Sequence, residues 1–393
     1  MKSIQTTPSL ETRCAHAGIG GGDGVPLVTP LVQSTTFCRD GVGSDAEHQY
    51  SRVSNPTVSA LEHALGDLEQ AGPAVCFSTG LAAETALFLS LLRSGDHLVC
   101  ARSVYGGTTR LVEQVLAPLG IDFTLVDATD SNQVRDAIQP NTDLVFVETP
   151  ANPTLELTDL CTVATIARAS GVPLAVDNTF LTPILQQPLE LGADLSVYST
   201  TKFVEGHSAA PGGAIVSRDP ELLERIRWIR KSTGAIQTPF HAWLTLQGLK
   251  TLPLRIREQS RTAAAIADRL AGRAELTRVG YPTLVDRTLA ETQHRGGHGA
   301  VLSIDFEQGL DAAARFVESL ELCRLVEHVG SVETLVTHPA TMTHADVDPG
   351  ERKRLGISDG LVRISVGLES AAELIDDIER ALSLSSLATG GVR

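Results

Sequence analysis

The sequence predicts an α/β protein: a large, doubly wound, mainly parallel sheet domain followed by a smaller C-terminal α+β domain. Two patterns and the chain length carry this expectation. From about Pro56, short apolar runs ("AVCF", "HLVCA", "DFTLVDA", "DLVFVET", "PLAVD", "LSVYS", "GAIVS") alternate with stretches of helical periodicity ("AAETALFLSLLRSG", "TTRLVEQVLAPLG", "DLCTVATIARASG"). Strands that are apolar on both faces, separated by amphipathic helices, are what a parallel sheet covered on both sides requires. After "GLKTLPLR" the order changes. A long helix is expected from about Leu254 to Gly272, then strands "AVLSIDF", "TLVTHP" and "LVRISVG" with helices "DAAARFVESLE" and "AAELIDDIERALSL". At 393 residues the chain exceeds what one compact core usually holds.

The expected organisation has three parts. Residues 1–55 form an irregular arm, because "GIGGGDGVPLVTP" is rich in Gly and Pro and "YSRVSNPT" reads as a loop ending in a turn. Long ordered arms usually wrap a neighbouring subunit. Residues 56–247 form the sheet domain and 248–393 the α+β domain.

Composition narrows the function classes. A net charge of −15 without long Lys or Arg runs argues against nucleic acid and anionic membranes as partners. No apolar run approaches the about 18 residues that span a bilayer, and the N-terminal stretch lacks the apolar middle of a secretory signal. The six cysteines are scattered, with no CxxC pair and no histidine spacing typical of zinc. A cytoplasmic protein with reduced thiols and no metal is the expectation.

Ligands of doubly wound sheets lie beyond the carboxyl ends of the strands, so those ends are where chemistry is sought. "AVCF" leads into Ser78-Thr79-Gly80-Leu81, a small-residue turn at a helix start that offers free N–H groups to an anion. Tyr105 follows "HLVCA", Glu148 and Asn152 end or follow "DLVFVET", Asp177 ends "PLAVD", and Ser199, Thr201 and Lys202 follow "LSVY". A salt bridge at the sheet edge would explain Asp177 and Lys202 but not the hydroxyls or the phosphate-like turn. Whether the two strands are neighbours is left open by the sequence.

Pyridoxal phosphate accounts for these residues together. Its aldehyde needs an amine held away from water, the role of Lys202, and its ring nitrogen needs a carboxylate, the role of Asp177. Tyr105 can face the ring, and Gly80, Leu81, Ser199 and Thr201 can cradle the phosphate.

The motifs "YSRVSNPT", "FSTGLAAETALF", "VYGGT", "ETPANPT", "VDNTF", "STTKFVEGHS", "GLKTLPLR", "HPATMTH" and "LVRISVGLE" resemble, almost end to end, the trans-sulfuration family of fold type I pyridoxal-phosphate enzymes. That family includes cystathionine γ-synthases, cystathionine lyases, methionine γ-lyases and O-acylhomoserine sulfhydrylases. The resemblance implies that Lys202 forms the Schiff base and Asp177 partners the pyridinium. Tyr105 would stack on the ring and assist proton transfer to the leaving group. Ser199, Thr201, Gly80 and Leu81 match phosphate contacts; Tyr50 and Arg52 match residues that reach a neighbouring subunit's cofactor, implying dimers paired into a homotetramer. Arg363 matches the residue that grips the substrate α-carboxylate, and Asn152 one near the ring oxygen and that carboxylate.

The implied activity is γ-elimination or γ-replacement on a homoserine-derived amino acid, nearest to cystathionine γ-lyase or γ-synthase. The alternatives are methionine γ-lyase, O-acylhomoserine sulfhydrylase, a lyase for another γ-oxygen-substituted amino acid, and cystathionine β-lyase. A catalytically silent binding or structural relative is the alternative of a different class. Several residues depart from the family pattern. Tyr198 replaces a common His, Ala209 a common Asp, and Gly107 the cysteine of methionine γ-lyases. In "EHVGSVETL", His328 falls on a serine that lies near the substrate carboxylate and the lysine, which makes it a candidate substrate contact or base.

Overall fold

The computed structural model describes residues 8–345 and 347–385; residues 1–7 of the expected arm and 386–393 of the C-terminal segment lie outside the described residues. Seven strands form the larger sheet: β1 (Val75–Phe77), β2 (His97–Ala101), β3 (Asp122–Val126), β4 (Thr142–Glu148), β5 (Leu174–Asp177), β6 (Leu195–Tyr198) and β7 (Gly213–Ser217), in the order β1-β7-β6-β5-β4-β2-β3. The five strands β2 to β6 run parallel to one another, and β7 runs antiparallel to both β1 and β6.

The apolar character of these strands on both faces has a direct cause. Leu195 and Val197 of β6 and Ile215 of β7 face one core with the helix Gly80–Leu91. Tyr198, Ala214 and Val216, at alternate positions, face a second core with the helix Pro56–Leu68. Alternation with period two sends successive side chains into two dry layers, so both sets are mainly apolar.

The smaller sheet contains β8 (Leu276–Gly280), β9 (Val301–Phe306), β10 (Arg324–Leu325), β11 (Leu335–Thr337) and β12 (Leu361–Ser365), in the order β10-β11-β12-β9-β8. The helices Leu310–Ser319 and Ala371–Ser385 cover it, with Phe316, Leu374 and Ile378 in a third core.

One helix joins these parts, and it is longer than the sequence predicts. It runs from Pro239 to Leu270 rather than starting near Leu254, and so spans residues 247 and 248, where the sequence pattern changes. Gly248 and Pro253 read as breakers, yet both lie inside it. Pro253 removes one N–H from the ladder. Arg255 bridges this turn: its Nη2 donates to Gly248 O (2.7 Å) and Val204 O (3.2 Å), and its Nη1 donates to Phe203 O (2.8 Å). The first half of the helix packs in the second core through Leu246, Leu249 and Leu252, the last turns in the third through Ile266 and Leu270. The helix is thereby clamped to the segment that directly follows Lys202.

Gly248 is required by that clamp, since a Cβ there would overlap the carbonyl oxygen of Glu205 and stand 2.9 Å from that of Val204. Gly to Ala inside a helix normally gains about 0.5–1 kcal/mol. Here we expect Gly248→Ala to lose about 2 kcal/mol, seen as a lower midpoint of thermal or denaturant unfolding. A variant as stable as the parent would contradict the close packing.

Candidate active site

The strand ends converge on one cavity of about 550 Å³, lined by Gly80, Leu81, Tyr105, Asn152, Asp177, Ser199, Thr201, Lys202 and Arg363 among others. Ten of the twelve residues singled out from sequence thus line the cavity or touch a residue that does; His328 is the tenth, through Lys202. Tyr50 and Arg52 do not line it. Tyr50 is 44% exposed, and the Arg52 guanidinium lies 5.2 Å from the centre of its ring while donating to Lys231 O (2.8 Å).

The question of strand order is settled by β5 and β6, which pair in parallel with Asp177 opposite Val197. A carboxylate and a lysine therefore leave adjacent strands at the same sheet edge. Asp177 is buried and its Oδ1 accepts from Thr179 N–H (2.9 Å). Burial raises its pKa, while the Thr179 bonds and the charge of Lys202 favour its ionised form. Burial, helped by the Arg363 charge, lowers the Lys202 amine to about 8, with Asp177 opposing.

At the other end, the helix Gly80–Leu91 begins at the cavity. Thr79 caps it, its hydroxyl accepting from Ala82 N–H (3.0 Å) and its carbonyl from Ala83 N–H (3.2 Å). The first N–H groups of a helix have no partner within it, which leaves those of Gly80 and Leu81 for an anion. A Cβ on Gly80 would stand 2.9 Å from Ser199 Cβ, so the cradle exists only with glycine. Ser199 is held by its own N–H, which donates to Thr179 Oγ1 (2.8 Å). Thr201 lines the cavity too, and its hydroxyl donates to Gly212 O (3.0 Å) and accepts from Gly212 N–H (2.9 Å), a bond pair that stitches the loop.

Arg363, at the centre of β12, is buried. Its Nη1 donates to Asn152 Oδ1 (2.7 Å), its Nη2 to Thr337 Oγ1 (3.0 Å) and His328 O (3.3 Å), and its Nε is buried without a partner. A buried N–H without a partner, on a side chain that lines the cavity, is a donor suited to an acceptor on a bound molecule. These features fit pyridoxal phosphate: N–H donors for a phosphate, an amine for the aldehyde, and a buried carboxylate lacking a full cation for the ring nitrogen. Among the described residues no group of His, Cys, Asp and Glu is arranged to hold a metal ion.

Two carboxylates of the cavity were not assigned roles from sequence. Glu148 accepts from Tyr105 N–H (2.6 Å), which fixes the loop carrying the Tyr105 ring; burial and then Asp177 push its pKa well up. Glu84 accepts from Thr108 Oγ1 (2.7 Å), and burial followed by the Asp177 charge raises it to about 8. The signal for Glu84 was present, as a lone acid in the apolar run "LAAETALFLSLL".

Two departures from the family pattern prove remote from the cavity lining. Tyr198 is buried in the second core, where its hydroxyl bonds Glu69 and accepts from Asn178 Nδ2 (3.1 Å). Ala209 is exposed, its N–H donating to Glu205 Oε2 (3.1 Å).

Comparison with known proteins agrees with this geometry. The family described as Cys/Met metabolism PLP-dependent enzyme matches residues 11–383. The chain is 42% identical over 378 residues to the cystathionine gamma-lyase of Bacillus subtilis, covering 95% of this chain and 98% of that one. It is 41% identical over 379 residues to a cystathionine beta-lyase of the same organism, covering 95% and 96%. The crystal structure of cystathionine gamma synthase from Xanthomonas oryzae pv. oryzae, in complex with aminoacrylate and cysteine, matches with a TM-score of 0.93 at 40% identity over 97% of this chain and 99% of that one. A family match over nearly the whole chain, on a fold type I scaffold, means that the chain belongs to the Cys/Met metabolism family of enzymes, is an enzyme of the trans-sulfuration type, and uses pyridoxal 5′-phosphate as its cofactor.

Proposed function

We propose that the enzyme catalyses γ-elimination or γ-replacement on a homoserine-derived amino acid, in the manner of a cystathionine γ-lyase or γ-synthase. The observation that carries the reading is Arg363, buried, held by Asn152 and Thr337, and left with an unpartnered Nε beside Lys202's cavity. A buried guanidinium held in place by these bonds, with an N–H still to be paired, suits a carboxylate. An amino acid anchored there by its α-carboxylate presents its α-carbon to Lys202.

What the cofactor supplies when bound is a carbonyl that links to amines and a ring that withdraws electrons from the substrate's α-carbon. Asp177 holds a proton at the ring nitrogen. Lys202 takes the Cα proton and carries it to the next carbon; with its pKa near 8, a useful fraction is unprotonated around neutral pH. Tyr105, 40% exposed on a loop pinned by Glu148, donates its phenol proton to the departing γ-substituent. Gly107 supports this placement of the ring, because a Cβ at that position would overlap the Tyr105 ring edge.

Tyr50 and Arg52 act, on this reading, in a neighbouring subunit's site within a homotetramer. Exposed apolar arm residues Val25, Leu27, Val28 and Leu31 support such burial. A cytoplasmic location accords with the expected reduced thiols; among the described residues no helix is long and apolar enough to cross a membrane.

Cystathionine β-lyase chemistry is the second reading, favoured by the 41% identity to the B. subtilis β-lyase. Incubation with cystathionine separates them: 2-oxobutyrate is the keto acid expected, and pyruvate as the main product would overturn the γ assignment. A panel of methionine and O-acylated homoserines, with and without thiol, then assigns elimination or replacement. For Arg363→Lys we expect kcat/KM to fall about 100-fold, mostly through KM, since a point charge replaces a fixed fork. An unchanged KM would remove Arg363 from substrate binding.

A further inference from the structure

His328 lies in the loop between β10 and β11, and that loop is pressed onto the lysine. A Cβ on Gly330 would stand 2.5 Å from the Phe203 amide nitrogen and 3.0 Å from Lys202 Cα; glycine at φ +85° lets the chain pass. Gly330 N–H donates to Ser365 Oγ (2.9 Å), and the His328 carbonyl accepts from Arg363 Nη2 (3.3 Å). Both ties anchor the loop to β12. The imidazole is thereby delivered against the amine, with His328 Nδ1 3.3 Å from Lys202 Nζ.

Chemistry fixes the form of this contact. A lysine ammonium has donors and no acceptor, so Nδ1 is the acceptor and the ring hydrogen sits on Nε2, which is buried without a partner. Around the pair stand Arg363 from β12, Asp177 and Glu148 from the ends of β5 and β4, Tyr105 at the cavity wall, and Glu327, exposed in the same loop. Burial first, then the charges of Lys202 and Arg363, lower His328 to about 4, so it is neutral near pH 7. With the amine near 8, the shared proton stays on lysine.

We propose that His328 is a positioning residue for Lys202: its neutral imidazole accepts a hydrogen bond from Nζ whenever that amine is free, and so holds it at the Arg363 end of the cavity. This rests on the reading of Lys202 as the reacting amine. The lysine is kept beside the bound substrate's α-carbon between proton transfers instead of turning to other acceptors.

Competitive acetylation of the enzyme stripped of cofactor, followed against pH with the Lys202 peptide quantified by mass spectrometry, reads this amine among the chain's five lysines. In the parent protein the midpoint is expected near 8, and restoring pyridoxal phosphate should block labelling. Labelling of Lys202 that the cofactor does not block would overturn the parent reading on its own. An acceptor favours the charged amine, so its loss lowers the midpoint. For His328→Ala we expect a fall of about 0.5–1 unit, or about 3- to 5-fold more free amine at pH 7. His328→Asn, whose Oδ1 stands where Nδ1 stood, should restore the midpoint. A parent-like midpoint in His328→Ala, or one in His328→Asn as low as in His328→Ala, would overturn the proposal.

Discussion

Keeping the Lys202 amine out of bulk water is the constraint on which the rest of the site depends. A desolvated lysine loses its preference for the charged form, and the loss must be compensated or used. Asp177 compensates from the adjacent strand, Arg363 opposes, and the amine settles near 8. That balance needs three elements held in fixed relation: β5, β6 and β12. The helix Pro239–Leu270 supplies the relation, since Arg255 ties it to the peptide groups of Phe203 and Val204, immediately after the lysine. The same helix enters the core beneath the smaller sheet, which carries Arg363. Packing far from the chemistry thus sets the distance across which substrate and amine meet.

The cavity also gathers acids. Glu84, Glu148 and Asp177 all line it, and the first two are shifted upward by burial and by Asp177. Three ionised carboxylates in one dry site would repel strongly. Burial raises all three, and Asp177 is the one whose ionised form the Thr179 bonds and the Lys202 charge favour, which is the form suited to a pyridinium. The Tyr105 loop is held through Glu148, and Thr108, three residues on, bonds Glu84, so the same acids that shape the electrostatics also position the ring that covers the site.

Much of this was legible in the sequence because it follows from local pattern. Apolar runs alternating with amphipathic stretches identify β1 to β7 and three of the helical segments between them, and the strand-end residues identify most of the cavity. What escaped depended on tertiary context. Gly248 and Pro253 signal a break, and only the Arg255 bridge and the close approach to Glu205 explain why the helix continues. The adjacency of Asp177 and Lys202 is a fact of strand order, which no local pattern encodes. Tyr198 stood out as a departure near the lysine, yet strand alternation turns it to the opposite face, toward Glu69. His328 lies 126 positions from Lys202, and their contact exists because Gly330 lets one loop cross the other.

The central claim is that Lys202 is the amine that carries the cofactor. The direct test is borohydride reduction of the yellow protein, followed by digestion and mass analysis of its five lysines, Lys2, Lys202, Lys231, Lys250 and Lys353. The account predicts loss of the yellow colour with the phosphopyridoxyl group on Lys202 alone. A reduced cofactor on any other lysine, or a colourless protein that binds none, would contradict it.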